Sequence, residues 1–311
     1  KSPNDLDVLV FWLSNTCRLL HDLKQYSGDK AFQTHNTPEQ NEHCLKNFDL
    51  TEYRQLLDDL AVHIYNDILT AINESIQGYI VPGLLEFESI PAVSSSKPFG
   101  RTNMRQRTRS NNEDVTVKTI TKYLSYVLAI LNTHCVDPDI IKQVFRQIFH
   151  FIGASMLNNI LLRKDMCHWS RGMQIRFNLS VLEDWVRINQ LDSGNILEGL
   201  KCIIQATQLL QVSKSTLDDV DAICEVCSSL NTLQVQKILS MYTPSNDREA
   251  RVPAAVIRAV VQRAHNETDP MYLMVDANKT YSVSFAFTAS AVSLENITIP
   301  DSINSSCFKV I

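Results

Sequence analysis

Cys224-Glu225-Val226-Cys227 sets two metal-ligating side chains at the spacing of half a zinc site. A structural zinc site needs four ligands, and no second C-x-x-C or H-x-x-x-H lies near. The pair also falls within an amphipathic run, so it reads as two ordinary thiols of a helix. The eight histidines are scattered, and none forms a motif with a Cys or Ser nucleophile. His150 and His168 read as packed or surface histidines. Eight glycines in 311 residues leave no phosphate-cradling loop. Asp58-Asp59 and Asp218-Asp219 read as solvated helix faces. Nothing here supports catalysis, a metal or a cofactor. One chemical signal is of another kind. Arg107-Thr108-Arg109-Ser110 places an arginine three residues before a serine, the form preferred by basophilic kinases such as calmodulin-dependent kinase. A phosphate there would add about −1.5 to −2 charge to a locally cationic segment. Ser110 and Thr108 are therefore the candidate phosphorylation sites.

The elements that carry these residues are helices. Leu6, Leu9, Val10, Leu13, Cys17, Leu20 and Leu23 repeat every three to four residues, which predicts one buried stripe over 5–26. From 51 to 80 the pairs Leu56/Leu57, Leu60/Ala61, Ile64/Tyr65 and Ile68/Leu69 recur every four, with Thr51 as N-cap and Gly78 and Pro82 as terminators. Residues 88–116 hold little that can enter a core and read as a mobile basic loop. Periodicity resumes at 117–134. Asp137-Pro138 is an N-cap with Pro at the first helical position, opening an apolar helix to about Leu162. Further helices are predicted at 173–189, 196–211, 215–229, 231–241 and 253–265. From Met271 the pattern breaks. Tyr281, Val283, Phe285 and Phe287 alternate with small residues, and Ile297, Ile299 and Ile303 sit among Pro, Asn and Ser. This is an extended tail, and burying its large apolar groups against the helical body would gain roughly 1.5–3 kcal/mol each.

The expected fold is therefore all-α: two packed helical-bundle subdomains, residues 1–136 and 137–270, with an extended C-terminal tail, 271–311, crossing back over the body. Composition agrees. Hydrophobic residues are 44% and charged residues 20% of the chain, enough for a core. A net charge of −5 makes nucleic acid and anionic membranes poor partners. No segment approaches the ~20 apolar residues that span a bilayer. The eight cysteines, mostly within apolar runs, are expected to be reduced thiols in the cytosol. Asn266, Asn278, Asn296 and Asn304 open N-glycosylation triplets, which carry information only on a secretory route. The chain opens on Lys1 and reads as part of something longer.

The stretch Leu161-Leu162-Arg163-Lys164-Asp165-Met166-Cys167-His168-Trp169-Ser170-Arg171-Gly172-Met173-Gln174-Ile175-Arg176-Phe177-Asn178 closely resembles the signature of class V myosin globular tails, the dilute domain. So do Phe11-Trp12-Leu13-Ser14-Asn15-Thr16-Cys17, Gln25-Tyr26-Ser27-Gly28, Asn41-Glu42-His43-Cys44, Leu209-Leu210-Gln211-Val212 and Tyr242-Thr243-Pro244, in order over nearly the whole chain. Two departures are the absence of the helices that precede Lys1 in the family and a looser stretch at 245–252. The resemblance implies a non-catalytic cargo-binding tail, with the ATPase in a motor head elsewhere. Its implied partners are adaptor proteins, Rab-family GTPases and its own motor head, on vesicles and organelles along actin, with dimerisation through an upstream coiled coil. It implies that Lys164 and Lys237 match two lysines that dock on the motor head for autoinhibition, and that a phosphorylatable serine lies in the loop matching Ser110. The alternative is an afadin-like scaffold that carries a dilute domain without a motor.

Overall fold

The computed structural model describes residues 5–27, 37–43, 49–90, 115–244, 250–264, 272–285 and 297–304. Every regular element among them is helical: α1 (Leu6–Tyr26), α2 (Pro38–His43), α3 (Thr51–Ile80), α4 (Val117–Thr133), α5 (Pro138–Leu162), α6 (Trp169–Ile188), α7 (Lys201–Gln211), α8 (Val220–Val226), α9 (Thr232–Met241), α10 (Ala254–Ala264) and α11 (Asp301–Asn304). No described helix is long and apolar enough to cross a membrane. Two compact units are distinguishable. The first holds Lys1–Ser75, Leu124–Phe145 and Tyr281–Ile311, and the second holds Ile76–Tyr123 and Arg146–Thr280.

In the first unit the stripe of α1 is buried at Val10, Leu13, Cys17 and Leu20. Ile64, Ile68 and Ile72 of α3, Leu124 and Leu131 of α4, and Val144 of α5 complete the core. The end of α4 is closed by Val136 N–H donating to Leu131 O (3.0 Å), with Cys135 left-handed at φ 52°. Side chains then lock this turn to α1. The Ser14 hydroxyl donates to the carbonyl of His134 (2.7 Å), and His134 Nε2 sits 2.8 Å from Asp7 Oδ1. Asp137 caps α5 as read, its Oδ1 accepting from Asp139 N–H at 2.9 Å, a contribution of about 1 kcal/mol.

Two readings of α3 need correction. Asp49, not Thr51, supplies the capping oxygen, which accepts from Thr51 N–H at 2.9 Å. Nor do Gly78 and Pro82 stop the helix. It passes Gly78, runs straight into a π-helical turn, Val81–Glu86, and breaks only at Phe87, where ψ becomes 126°. Pro82 lies inside this continuous helix and has no N–H to donate, and the helix widens there into the π-turn.

The second unit is built on the rest of α5, whose Ile148, Phe149, Ile152, Met156, Leu157 and Ile160 are wholly buried. Helix α6 packs on α7, and α8 and α9 pack on α10. One crossing depends on glycine. A Cβ on Gly153 would lie 2.0 Å from the carbonyl oxygen of Gly199, and one on Gly199 only 2.5 Å from the nitrogen of His150. Both positions must be bare for α5 to meet the 3-10 turn Ile196–Leu200.

The tail departs from expectation in how it is held. It forms no regular element over 272–285, bending at 273–274 and turning at 277–278; none of these residues is buried, and Tyr272 is 58% exposed. In the second unit its main chain is held by side chains. Asn231 Nδ2 donates to Tyr272 O (2.9 Å), Gln234 Nε2 to Leu273 O (3.1 Å), and His150 Nε2 to Asp276 O (2.9 Å). Gln147 donates to Lys279 O. Asn158 both donates to Val275 O and accepts from Val275 N–H, each at 2.8 Å. In the first unit Gln143 makes the same reciprocal pair with Ser284 (2.9 and 2.8 Å), and the Phe285 ring stands edge-on to Tyr65 at 6.2 Å. Tyr281, Phe285 and Ile297 are half-buried and Ile299 is 42% exposed. Phe287 lies outside the described residues. The reason is polar. A non-helical segment with no sheet neighbour must still pair its N–H and C=O groups, and helix-borne amides do much of that here.

Candidate functional site

The signature stretch around Arg163 forms one edge of the second unit. Helix α5 ends at Leu162, Arg163 turns extended (φ −117°, ψ 104°), and Lys164–Met166 makes a single 3-10 turn. His168 then opens α6. Its Nδ1 accepts from Arg171 N–H (3.2 Å) and lies 2.7 Å from the Ser170 hydroxyl. Burial, helped by the Arg171 guanidinium, holds His168 below its ordinary 6.5, so the ring caps the helix in its neutral form. His168 is thus a packed histidine with a structural task.

Arg163 is fixed from two sides. Its Nη2 donates to Asp165 Oδ2 (2.7 Å) and its Nη1 to Glu86 Oε1 (2.6 Å). The first of these bonds holds the Asp165 carboxyl below its usual range. Arg171 Nη1 donates to the carbonyls of Leu85 (3.3 Å) and Glu86 (3.2 Å). Gln174 then exchanges two hydrogen bonds with Ile90, Nε2 to O (2.7 Å) and N–H to Oε1 (3.0 Å). The fully buried Asn178 donates to Leu84 O (3.0 Å) and Phe87 O (3.1 Å) and accepts from the Ser89 hydroxyl. The polar letters of the signature therefore have a common purpose. They clamp the main chain of 84–90. Gly172 lies where a Cβ would stand 2.9 Å from Leu210 Cβ, which sets how closely α6 approaches α7.

The second conserved-looking fragment, Tyr242-Thr243-Pro244, arrives at this same edge. Thr243 N–H donates to Cys167 O at 2.7 Å. Burial, with the Asp165 carboxylate adding to it, pushes the Cys167 thiol up to about 12, and the Lys237 ammonium pulls against them. Lys237 is thus electrostatically within reach of the turn that carries Lys164. Lys164 is exposed and Lys237 half-buried, and neither forms an ion pair among the described residues. Lys237 is half-buried on α9 and lies roughly 160° round the helix from the buried Val235 and Leu239, opposite that part of the apolar stripe. Exposed apolar groups flank both: Leu162 (68%) two residues before Lys164, and Leu233 (41%) one turn before Lys237.

Ser110 and Thr108 lie outside the described residues. Of the zinc-like pair, Cys227 is buried and pushed up to about 12 by that burial, while Cys224 is half-buried. Among the described residues no group of three or more His, Cys, Asp or Glu is placed to hold a metal ion. Sequence reasoning passed over the amides: Gln143, Gln147, Asn158, Gln174, Asn178, Asn231 and Gln234. The signal was present, since Gln174 and Asn178 fall on the same face as Ile175, Leu179 and Leu182. An amide in apolar register needs a polar partner, and the partners named above are main chain apart from the Ser89 hydroxyl on Asn178.

A family model, the DIL domain, matches residues 143–246. Chicken unconventional myosin-Va is 48% identical over 305 residues, 97% of this chain and 16% of that protein. Human unconventional myosin-Vb is 44% identical over 304 residues, 98% of this chain and again 16% of that protein. The chain therefore spans about a sixth of the length of these relatives. Among solved structures, Myo2-GTD in complex with Mmr1 is similar with a TM-score of 0.64 at 22% identity, covering 96% of this chain and 74% of that one. Myo2-GTD has also been solved in complex with Smy1 and with Inp2. Likeness at that identity carries the fold alone, whereas the myosin-V matches extend over 97% and 98% of this chain. The chain belongs to the DIL-domain globular tails of the class V myosins.

Proposed function

We propose that this chain is the non-catalytic cargo-binding tail of an actin-based motor. It binds adaptor proteins and Rab-family GTPases on vesicles and organelles in the cytoplasm, and folds back on its own motor head when cargo is absent. One observation carries the reading: 48% identity to a myosin-Va over 97% of the chain. The yeast-type Myo2 tail shares the fold and is known in complex with Mmr1, Smy1 and Inp2, which supports adaptor binding as the task of this architecture. A pulldown from cytosol with the purified domain, followed by mass spectrometry, tests it. Recovery of membrane-bound adaptors or Rab proteins is expected, and recovery of neither overturns the reading. In the full-length protein the tail is paired through an upstream coiled coil, and the isolated domain is monomeric. We also infer that 1–136, 137–270 and 271–311 behave as subdomain 1, subdomain 2 and tail; limited proteolysis that instead keeps 76–123 with 146–280, as the compact units above divide, refutes those boundaries.

Lys164 and Lys237 are the proposed contacts with the motor head. In support, both lack an ion-pair partner among the described residues, and Lys237 and the Lys164 turn both bear on Cys167. Exposed pairs contribute only ~0–1 kcal/mol each, so two lysines make a weak, salt-sensitive and reversible latch. Lys164→Ala with Lys237→Ala is expected to abolish inhibition of a tail-less motor's ATPase at low salt while adaptor binding persists. Undiminished inhibition by the double variant rules these lysines out. Ser110, with Thr108 beside it, is the proposed phosphorylation switch, and phosphopeptide mapping that finds both always unmodified removes it.

A further inference from the structure

Lys214, in the second unit, is only 6% exposed. A lysine is buried so deeply only where its ammonium finds acceptors and matching charge. Here it closes the end of α7. That helix stops at Gln211, and carbonyls of its last turn have no following helical N–H to accept. Lys214 Nζ donates to Leu210 O (3.2 Å) and to Val212 O (2.6 Å). It also stands over the Tyr242 ring, 4.1 Å from the centroid. A cation suits both surfaces, since the carbonyl end of a helix and the face of an aromatic ring are each negative.

Tyr242 is the residue that ends α9, and it is 2% exposed. The ammonium therefore ties the ends of two helices together. From Tyr242 the connection continues along the main chain. Thr243 N–H donates to Cys167 O (2.7 Å), and Cys167 N–H donates to Lys164 O (3.1 Å). Lys164 thus belongs to the same chain of bonds as the end of α9. Lys237 stands on α9 about one and a half turns before Tyr242. The spacing between these two lysines is accordingly set by where the end of α9 is pinned.

We infer that Lys214 is a positioning residue of the proposed motor-head contact. Buried between the end of α7 and the Tyr242 ring, it fixes the seat of Thr243 on Cys167 and so the mutual placement of Lys164 and Lys237. The role rests on the reading of those two lysines as the contact, and Lys214 itself does not touch the motor head. Two weak contacts act as one latch only when their spacing lets both engage together. Methionine at 214 would fill much of the same space but leave the Leu210 and Val212 carbonyls without this donor and the ring without its cation.

The test compares Lys214→Met and Lys214→Arg in the whole chain. Lys214→Met should speed hydrogen exchange of the Thr243 amide about tenfold, as read by NMR. It should also raise about threefold the tail concentration that half-inhibits a tail-less motor at low salt. Lys214→Arg should restore both, because a guanidinium also donates to two carbonyls and stacks on an aromatic face. Gly153→Ala, which strains the same unit at the Gly199 crossing, should leave inhibition at the parent's level. Should Lys214→Met not fold, Tyr242→Leu removes the ring and keeps both carbonyl bonds, and the same two readings decide. An unmoved Thr243 amide or unmoved inhibition in Lys214→Met overturns the role of Lys214 while the latch stands. So does Lys214→Arg behaving no better than Lys214→Met, or an equal loss of inhibition in Gly153→Ala. Undiminished inhibition by Lys164→Ala with Lys237→Ala overturns the latch itself, and this role with it.

Discussion

Asn178→Leu is the sharpest test of what the signature stretch is for. The side chain is fully buried, makes three hydrogen bonds, and is replaced by a larger branched one, so no cavity opens and crowding adds to the cost. Leucine leaves the carbonyls of Leu84 and Phe87 and the hydroxyl of Ser89 without this partner. Each orphaned buried group costs ~1–3 kcal/mol, roughly 3–9 kcal/mol in all. Burying the added apolar surface returns about 2 kcal/mol. The net loss spans ~1–7 kcal/mol and centres near ~4 kcal/mol, a large share of the ~5–15 kcal/mol of an ordinary domain. Urea unfolding followed by circular dichroism reads it as a lower midpoint, and hydrogen exchange should localise the first opening to 84–90. Asn178→Asp is the companion variant. An ionised carboxylate turns an oxygen on both carbonyls and should cost at least as much at pH 7, with partial recovery at a pH low enough to protonate it. A leucine variant within ~0.5 kcal/mol of the parent would refute the clamp and reduce Asn178 to a core-filling residue.

Three further outcomes are expected. Gly153→Ala should destabilise the second unit by ~3 kcal/mol or more, since the new methyl lands 2.0 Å from Gly199 O and only backbone can yield; thermal melting checks it. Stability should fall with pH below about 6.5, because His168, held lower when folded, stays neutral while the unfolded chain takes up a proton; melts from pH 7.5 to 5.5 should show this, and His168→Asn, a cap that does not titrate, should flatten it. Cys17, Cys167 and Cys227, each pushed up to about 12 chiefly by burial, should react far more slowly with an alkylating reagent at pH 8 than the same residues in urea, as read by mass spectrometry.

Much of the fold was legible because periodicity reports burial directly. The stripe of α1, the Asp137-Pro138 start of α5, and the helices α6 to α10 all follow from apolar spacing and cap chemistry, which are local. Local signals also misled. Gly78 and Pro82 mark a stop in isolation, but packing carried the helix through them into a π-turn, which only the surrounding core can stabilise. The tail illustrates the same limit. Its apolar residues argued for burial, but whether a groove exists is decided by partners more than a hundred residues away in sequence. Similarly, the motif letters of 161–178 identified the class V myosin tail before any coordinate was known, without saying why those letters recur.

By itself, then, the sequence determined the helical class, the positions of most helices and the family, since each rests on residue type and near-neighbour spacing. Tertiary structure alone decided that Gln174 and Asn178 clamp 84–90, that Gly153 and Gly199 meet, that Thr243 binds Cys167 beside Lys164, and that amides of α5 and α9 hold the tail by its main chain. The physical reason is one of range. Hydrophobic periodicity is written in residues three and four apart, whereas a hydrogen bond between a buried amide and a distant carbonyl leaves no trace in either neighbourhood until the chain has folded.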